Sequence, residues 1–189
     1  LLAIAPTVGA VEIGGKLSAD EMDWGPPGSG AAVEGDPTID VTSYLTIEPS
    51  LTLTIRPGTT IRIAKNQEIF CSGQITAKGA PDKPIVFTAL DPDAEAGTWI
   101  AVTLNVNGYG SVFEYCHFEK AFQGISTYLA FPTIRHCVFE SCLEGIYAGV
   151  WDQEDSPVIE QNTFIDNTID GLTCASSLPT VRRNTFRGN

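Results

Sequence analysis

Four copies of one short pattern fill the second half of the chain and narrow sharply what it can fold into. Ser111-Val-Phe-Glu-Tyr-Cys-His-Phe118 is followed by Pro132-Thr-Ile-Arg-His-Cys-Val-Phe139, Pro157-Val-Ile-Glu-Gln-Asn-Thr-Phe164 and Pro179-Thr-Val-Arg-Arg-Asn-Thr-Phe186. Their closing phenylalanines step by 21, 25 and 22 residues, and the first three copies lead into Gly124-Ile125, Gly145-Ile146 and Gly171-Leu172. A fixed period in the low twenties, carried by short β-rich segments, predicts a solenoid in which each repeat is one coil stacked on the last.

Stacked coils place equivalent residues about 4.8 Å apart, so each column of the repeat becomes a ladder of like side chains. Phe118, Phe139, Phe164 and Phe186 form one such column, and Phe113, Ile134, Ile159 and Val181 another; both read as continuous core. The column Cys116, Cys137, Asn162, Asn184 is read as structural. Asparagine tolerates left-handed backbone and bonds its neighbours through both ends of its amide, and the two cysteines replace it as small buried fillers. Glu114, Arg135, Glu160 and Arg182 alternate in sign, which predicts a surface charge ladder that fixes register more than it adds stability.

Pro157–Phe164 followed by Asp170-Gly171-Leu172 resembles the right-handed parallel β-helix repeats of the pectin-lyase-like superfamily. Leu51–Ile63, and Gly73–Gly79 leading into Pro84–Thr88 with Trp99 beyond, are similar to the first coils of secreted bacterial and archaeal β-helix proteins. The resemblance covers roughly Ile13 to Asn189 and implies an all-β, right-handed single-stranded parallel β-helix. At the observed period, about six to seven coils follow. In such proteins a segment like Ile13-Gly14-Gly15…Trp24 closes the N-terminal end, so residues 1–41 are assigned to a strand and cap and 42–189 to the helix proper. The superfamily spans lyases, hydrolases, adhesins and non-catalytic surface proteins, so the resemblance carries no activity with it.

A net charge of −12, with only 11 Lys and Arg, argues against nucleic-acid binding, which needs a basic surface. It also repels anionic polysaccharides unless cations bridge them. No run of apolar residues is long enough to span a membrane. Five cysteines leave at least one thiol unpaired within the chain. Cys116 and Cys137, on neighbouring coils, suit stacking or a disulfide; Cys71, Cys142 and Cys174 read as buried fillers. Leu1–Ala10 is either the tail of a signal peptide or an apolar strand of the mature protein, and the strand is preferred.

Two acidic loops interrupt the coils. Asp91, Asp93 and Glu95 precede Trp99, and Asp152, Glu154 and Asp155 lengthen the second repeat beside Trp151. Each offers three carboxylates within a few residues, the ligand type Ca²⁺ takes, although neither has EF-hand spacing and solvated acidic loops are the preferred reading. No other cofactor is expected. Trp151 is read as packing over the coil below, in preference to stacking on a sugar.

The catalytic signatures of polysaccharide hydrolases on this fold are missing: there is no Asp-Asp pair and no Gly-His-Gly. His117 and His136 lie one column apart with no carboxylates placed around them, and Glu119 and Glu140 share a column. The expectation leans away from an enzyme. It is a non-catalytic extracellular β-solenoid that joins head to tail into filaments or a surface layer through open coil ends, with Leu1–Ala10 adding to a neighbour's edge. A polysaccharide-binding or polysaccharide-degrading protein is the alternative, and truncation from a longer solenoid also explains the half-coil at Pro179–Asn189.

Overall fold

In the computed structural model the described residues are 10–35, 38–106, 109–149, 156–176 and 178–189. Leu1 to Gly9, Trp151, Asp152, Glu154 and Asp155 lie outside them, and with them the readings of the N-terminal strand and the second acidic loop.

Strands β1 (Val11–Lys16), β2 (Asp23–Gly25) and β3 (Val33–Glu34) open the chain, followed by β4 (Ile39–Ile47) and β5 (Thr52–Ile55). Each later coil then contributes three short strands. These are β6 (Thr60–Ile63), β7 (Ile69–Cys71) and β8 (Gln74–Lys78), then β9 (Ile85–Ala89), β10 (Trp99–Leu104) and β11 (Val112–Glu114). The next coils hold β12 (Cys116–Glu119), β13 (Ala121–Tyr128) and β14 (Thr133–Arg135), then β15 (Val138–Glu140), β16 (Glu144–Gly149) and β17 (Val158–Glu160). Finally β18 (Thr163–Ile165), β19 (Asp170–Ala175) and β20 (Thr180–Arg182) complete a coil, and β21 (Thr185–Arg187) begins another.

Pairing between the coils is parallel throughout and defines three faces. The first face runs β4-β6-β9-β12-β15-β18-β21, the second β4-β7-β10-β13-β16-β19, and the third β2-β5-β8-β11-β14-β17-β20. The chain is a parallel β-solenoid of about seven turns, with a single short 3₁₀ turn at Ala19–Glu21 among the described residues. Strand β4 belongs to two faces because its first half pairs β6 and its second half pairs β7. The segment read as a cap supplies β1 alongside β4 and β2 alongside β5, and the boundary drawn after residue 41 falls inside β4.

The core is made of ladders because in-register parallel pairing stacks like on like. On the first face Phe87, Phe118, Phe139, Phe164 and Phe186 stack with ring centroids 4.6, 5.0, 5.2 and 4.7 Å apart. Leu45, Ile69, Val102, Ile125, Ile146 and Leu172 follow one another inside the second. Glycines make room between the faces. A Cβ on Gly124 would lie 2.7 Å from the Phe139 ring, and one on Gly145 2.7 Å from that of Phe164. The repeated Gly-Ile and Gly-Leu pairs are therefore clearance for the aromatic ladder.

Corners between the third and first faces turn on one residue with left-handed φ: Tyr115 (50°), His136 (55°), Gln161 (58°) and Arg183 (57°). The first-to-second corners do the same at Lys120, Ser141 and Asp166. Each such non-glycine residue costs about 1–2 kcal/mol. The sequence reading put this conformation on the asparagines themselves; it lies one position earlier, because the asparagine must turn its amide inward. Asn162 accepts the Cys137 N–H at 2.9 Å and donates to the Ile134 carbonyl at 3.0 Å. Asn184 repeats this with Asn162 N–H and Ile159 O at 2.8 and 2.9 Å.

From Phe118 onward, connections between the second and third faces take up nearly all the variation in repeat length. In the coil before, the longest connection is the one between Ala89 and Trp99, from the first face to the second. Thr127, Ala148 and Cys174 are equivalent, as are Thr133, Val158 and Thr180, yet the middle interval is four residues longer. That extra length accounts for the period of 25 between Phe139 and Phe164, against 21 before it.

Candidate functional site

Titratable side chains on the outer faces are held mainly by their neighbours one coil away. Arg56 donates to Asp23 through Nε at 2.8 Å, and Arg62 to Asp40 at 2.8 Å. Arg56 holds the Asp23 carboxyl below the usual range. Glu114, Arg135, Glu160 and Arg182 are in register on β11, β14, β17 and β20, with Lys78 before them. Among the described residues the ion pairs of this column are Arg135 with Glu114, through Nε at 2.6 Å, and Arg182 with Glu160 at 2.5 Å. The surface reading needs one correction: Glu160 is only 9% exposed, because Arg182 of the next coil lies across it.

His117 does have a carboxylate beside it, which sequence reasoning missed. Nε2 of His117 lies 3.1 Å from Oε2 of Glu140 on the next coil. His136 stacks flat on Tyr115 at 4.8 Å. A groove of about 210 Å³ runs here, lined by Pro81, Pro84, Tyr115, Cys116, His117 and His136. Cysteine, histidine and glutamate in one groove suggest a nucleophile with its base. The strand geometry opposes that reading: Cys116 and His117 are consecutive residues of β12, so their side chains point to opposite faces. The Cys116 sulfur donates inward to the carbonyls of Ala77 and Glu114, and burial pushes its thiol well above the ordinary value. Thiolate is the nucleophile, so this thiol is inert.

All five cysteines are free thiols. Cys116 and Cys137 occupy adjacent rungs as stacked thiols, each bonded to backbone carbonyls. Burial raises Cys71 and Cys142 to about 12. Cys174 departs from the reading as a buried filler. It is exposed, since β19 is the last strand of its face and no described coil lies above it.

Cys142 turned out to head a second polar ladder with Asn167 and Asn189, at the first-to-second corner. Asn167 accepts the Cys142 N–H at 3.0 Å and donates to Phe139 O at 3.1 Å. Asn189 accepts from Asn167 N–H at 3.2 Å and donates to Phe164 O at 3.1 Å. Two corners of the coil thus use one device. The spacing of 5 residues from Asn162 to Asn167 and from Asn184 to Asn189 was the available signal.

Asp91, Asp93 and Glu95 are exposed, and Oδ1 of Asp91 accepts the Asp93 backbone N–H at 3.0 Å. Lys120 Nζ donates to Pro92 O at 2.6 Å and pins the same loop. Among the described residues no three His, Cys, Asp or Glu side chains are grouped to hold a metal ion, and no helix is long and apolar enough to cross a membrane.

No curated protein and no solved structure matches the chain. A family model described as the right-handed β-helix region matches residues 58–189, which contain every strand from β6 onward. With parallel coils, stacked ladders and this match over well more than half its length, the chain belongs to the right-handed β-helix family.

Proposed function

We propose that this is a non-catalytic extracellular β-solenoid with a structural role, which associates head to tail with further copies of itself. The observation that carries the reading is an axial separation of charge. Before Arg56 the one cation is Lys16, set against Glu12, Asp20, Glu21, Asp23 and Glu34 among others. Residues 171–189 carry no carboxylate side chain, and Arg182, Arg183 and Arg187 lie on the same stretch as Val181 and Phe186, which are 43% and 50% exposed. An apolar rung carrying Arg183 and Arg187 complements the acidic coil around Glu12, Asp20 and Glu21. Contact between opposite ends is heterologous, so it propagates instead of closing. The extracellular placement is what the resemblance to secreted β-helix proteins implies.

Light scattering against protein concentration and salt tests this. High-mass species should form at low salt, fade as salt screens the ends, and be abolished by Arg183→Glu with Arg187→Glu. A parent protein that stays monomeric at every concentration and salt rejects it. A second reading, polysaccharide binding, is favoured by aromatics on the outside of the second face: Tyr44 stacks on Phe70 at 6.1 Å, and Tyr128 is 54% exposed. Retention on immobilised glycans, lost in Tyr44→Ala, would establish that reading, and new reducing or unsaturated ends would add catalysis.

A further inference from the structure

A column of apolar side chains lies on the outside of the solenoid where the first face turns into the second. Ile100, Phe122 and Ile169 are 41%, 45% and 54% exposed, and Leu143 is half-buried between the last two. Their alignment is fixed by the flanking register. Trp99 and Ala101 pair with Ala121 and Gln123, Gln123 with Glu144, and Glu144 with Asp170. The Ile169 N–H bonds the Leu143 carbonyl at 2.9 Å. Leu143 is partly covered by Gly97 of the Asp91–Gly97 loop, where an added Cβ would sit 2.9 Å from its Cδ1. Four successive coils thus present one outward apolar rung each, which differs from scattered surface hydrophobics.

Acidic residues border the middle and upper rungs of this column, while Ala101 and Gln123 stand beside the lower two. Glu144 and Asp170 are the next residues after Leu143 and Ile169, and Glu119 and Glu140 pair with each other on the preceding strands. Among the described residues, Glu119, Glu144 and Asp170 take part in no ion pair. The nearest cation in sequence, Lys120, donates to the Pro92 carbonyl at 2.6 Å. Glu144 accepts instead from the neutral amide of Gln123, Nε2 to Oε2 at 2.6 Å, which leaves its charge uncompensated.

We infer that this column is a docking surface for a cationic amphipathic helix of another polypeptide. The spacing supports a helix: rungs about 4.8 Å apart approximate the pitch of about 5.4 Å at which a helix repeats its apolar face. Four rungs accommodate about three turns. Charge complementarity selects the partner, with leucine-like side chains on the column and lysine or arginine on both borders reaching the carboxylates. A second copy of this chain does not fit, since its described residues contain only one short 3₁₀ turn and its net charge is −12.

The test uses a synthetic Leu/Lys peptide of about 14 residues, roughly four turns, with leucines on one face and lysines bordering it. A scrambled peptide of identical composition is the control. Mixing should raise the helix signal at 222 nm, where the protein itself contributes little. Fluorescence anisotropy should show saturable binding that weakens with salt and is about tenfold tighter than for the scrambled peptide. Phe122→Ser with Ile169→Ser should cost at least about tenfold in affinity. Glu144→Gln with Asp170→Asn, which leaves the apolar rungs in place, should weaken binding and flatten its salt dependence. Equal binding of the two peptides, or affinity unchanged in both variants, overturns the inference. If the serine variant melts early, the amide variant alone decides.

Discussion

Phe139 sits midway along the aromatic ladder, and truncating it isolates what one rung contributes. The ring is fully buried, stacked between Phe118 at 5.0 Å and Phe164 at 5.2 Å. A buried phenylalanine withdraws roughly 150–250 Å² from water, worth roughly 4–6 kcal/mol at about 25 cal/mol/Å². Alanine keeps only the Cβ share, and rungs held by backbone pairing on both sides cannot close the gap. Phe139→Ala should therefore cost about 3–5 kcal/mol. Phe186 supplies the internal control: it is 50% exposed and stacks on Phe164 alone. Half the burial and one neighbour predict about 1–2 kcal/mol for Phe186→Ala. Urea unfolding followed by tryptophan fluorescence, with Trp24 and Trp99 both buried, measures each. Equal losses for the two variants, or a loss below about 1 kcal/mol for Phe139→Ala, would refute the argument that burial and stacking between rungs set the cost.

Arg135→Glu puts three like charges at Glu114, position 135 and Glu160, and should lower the melting temperature by a few degrees, about 1–2 kcal/mol, with part recovered in high salt. Differential scanning calorimetry at two salt concentrations checks it. The Thr127 hydroxyl is buried without a hydrogen-bond partner among the described residues, so Thr127→Val should raise stability by about 1 kcal/mol in the same measurement. A thiol reagent at pH 8 should modify Cys174 in the folded protein and the other four cysteines only after denaturation. The sign follows from burial: Cys71 and Cys142 titrate near 12, so they remain unreactive thiols at that pH. Mass spectrometry of the adduct count reports the outcome directly.

The period of the phenylalanines was enough to predict stacked coils, because in-register parallel pairing forces equal residues into one column. Two things escaped that logic. The repeat was aligned on its phenylalanines, so Cys142, Asn167 and Asn189, which stand one corner further on, were not seen as a column of their own. The pairing of His117 with Glu140 also stayed hidden, since it joins residues 23 apart, a spacing that differs from the repeat because the contact is diagonal. Outward-facing order was equally obscure. Ile100, Phe122, Leu143 and Ile169 share a column, but Ile169 stands one residue further from its corner than Leu143 does, so a fixed period does not find them.

The uneven connections between the second and third faces separate two kinds of change that most folds confuse. Adding residues there leaves every rung above and below in place, whereas adding one residue inside a strand such as β14 or β15 turns the core side chains beyond it outward. From Phe118 onward the chain therefore has one permissive seam. Foreign segments grafted after Tyr128 and after Ser176 would emerge along one line, two coils apart, as if from numbered sockets on a rail.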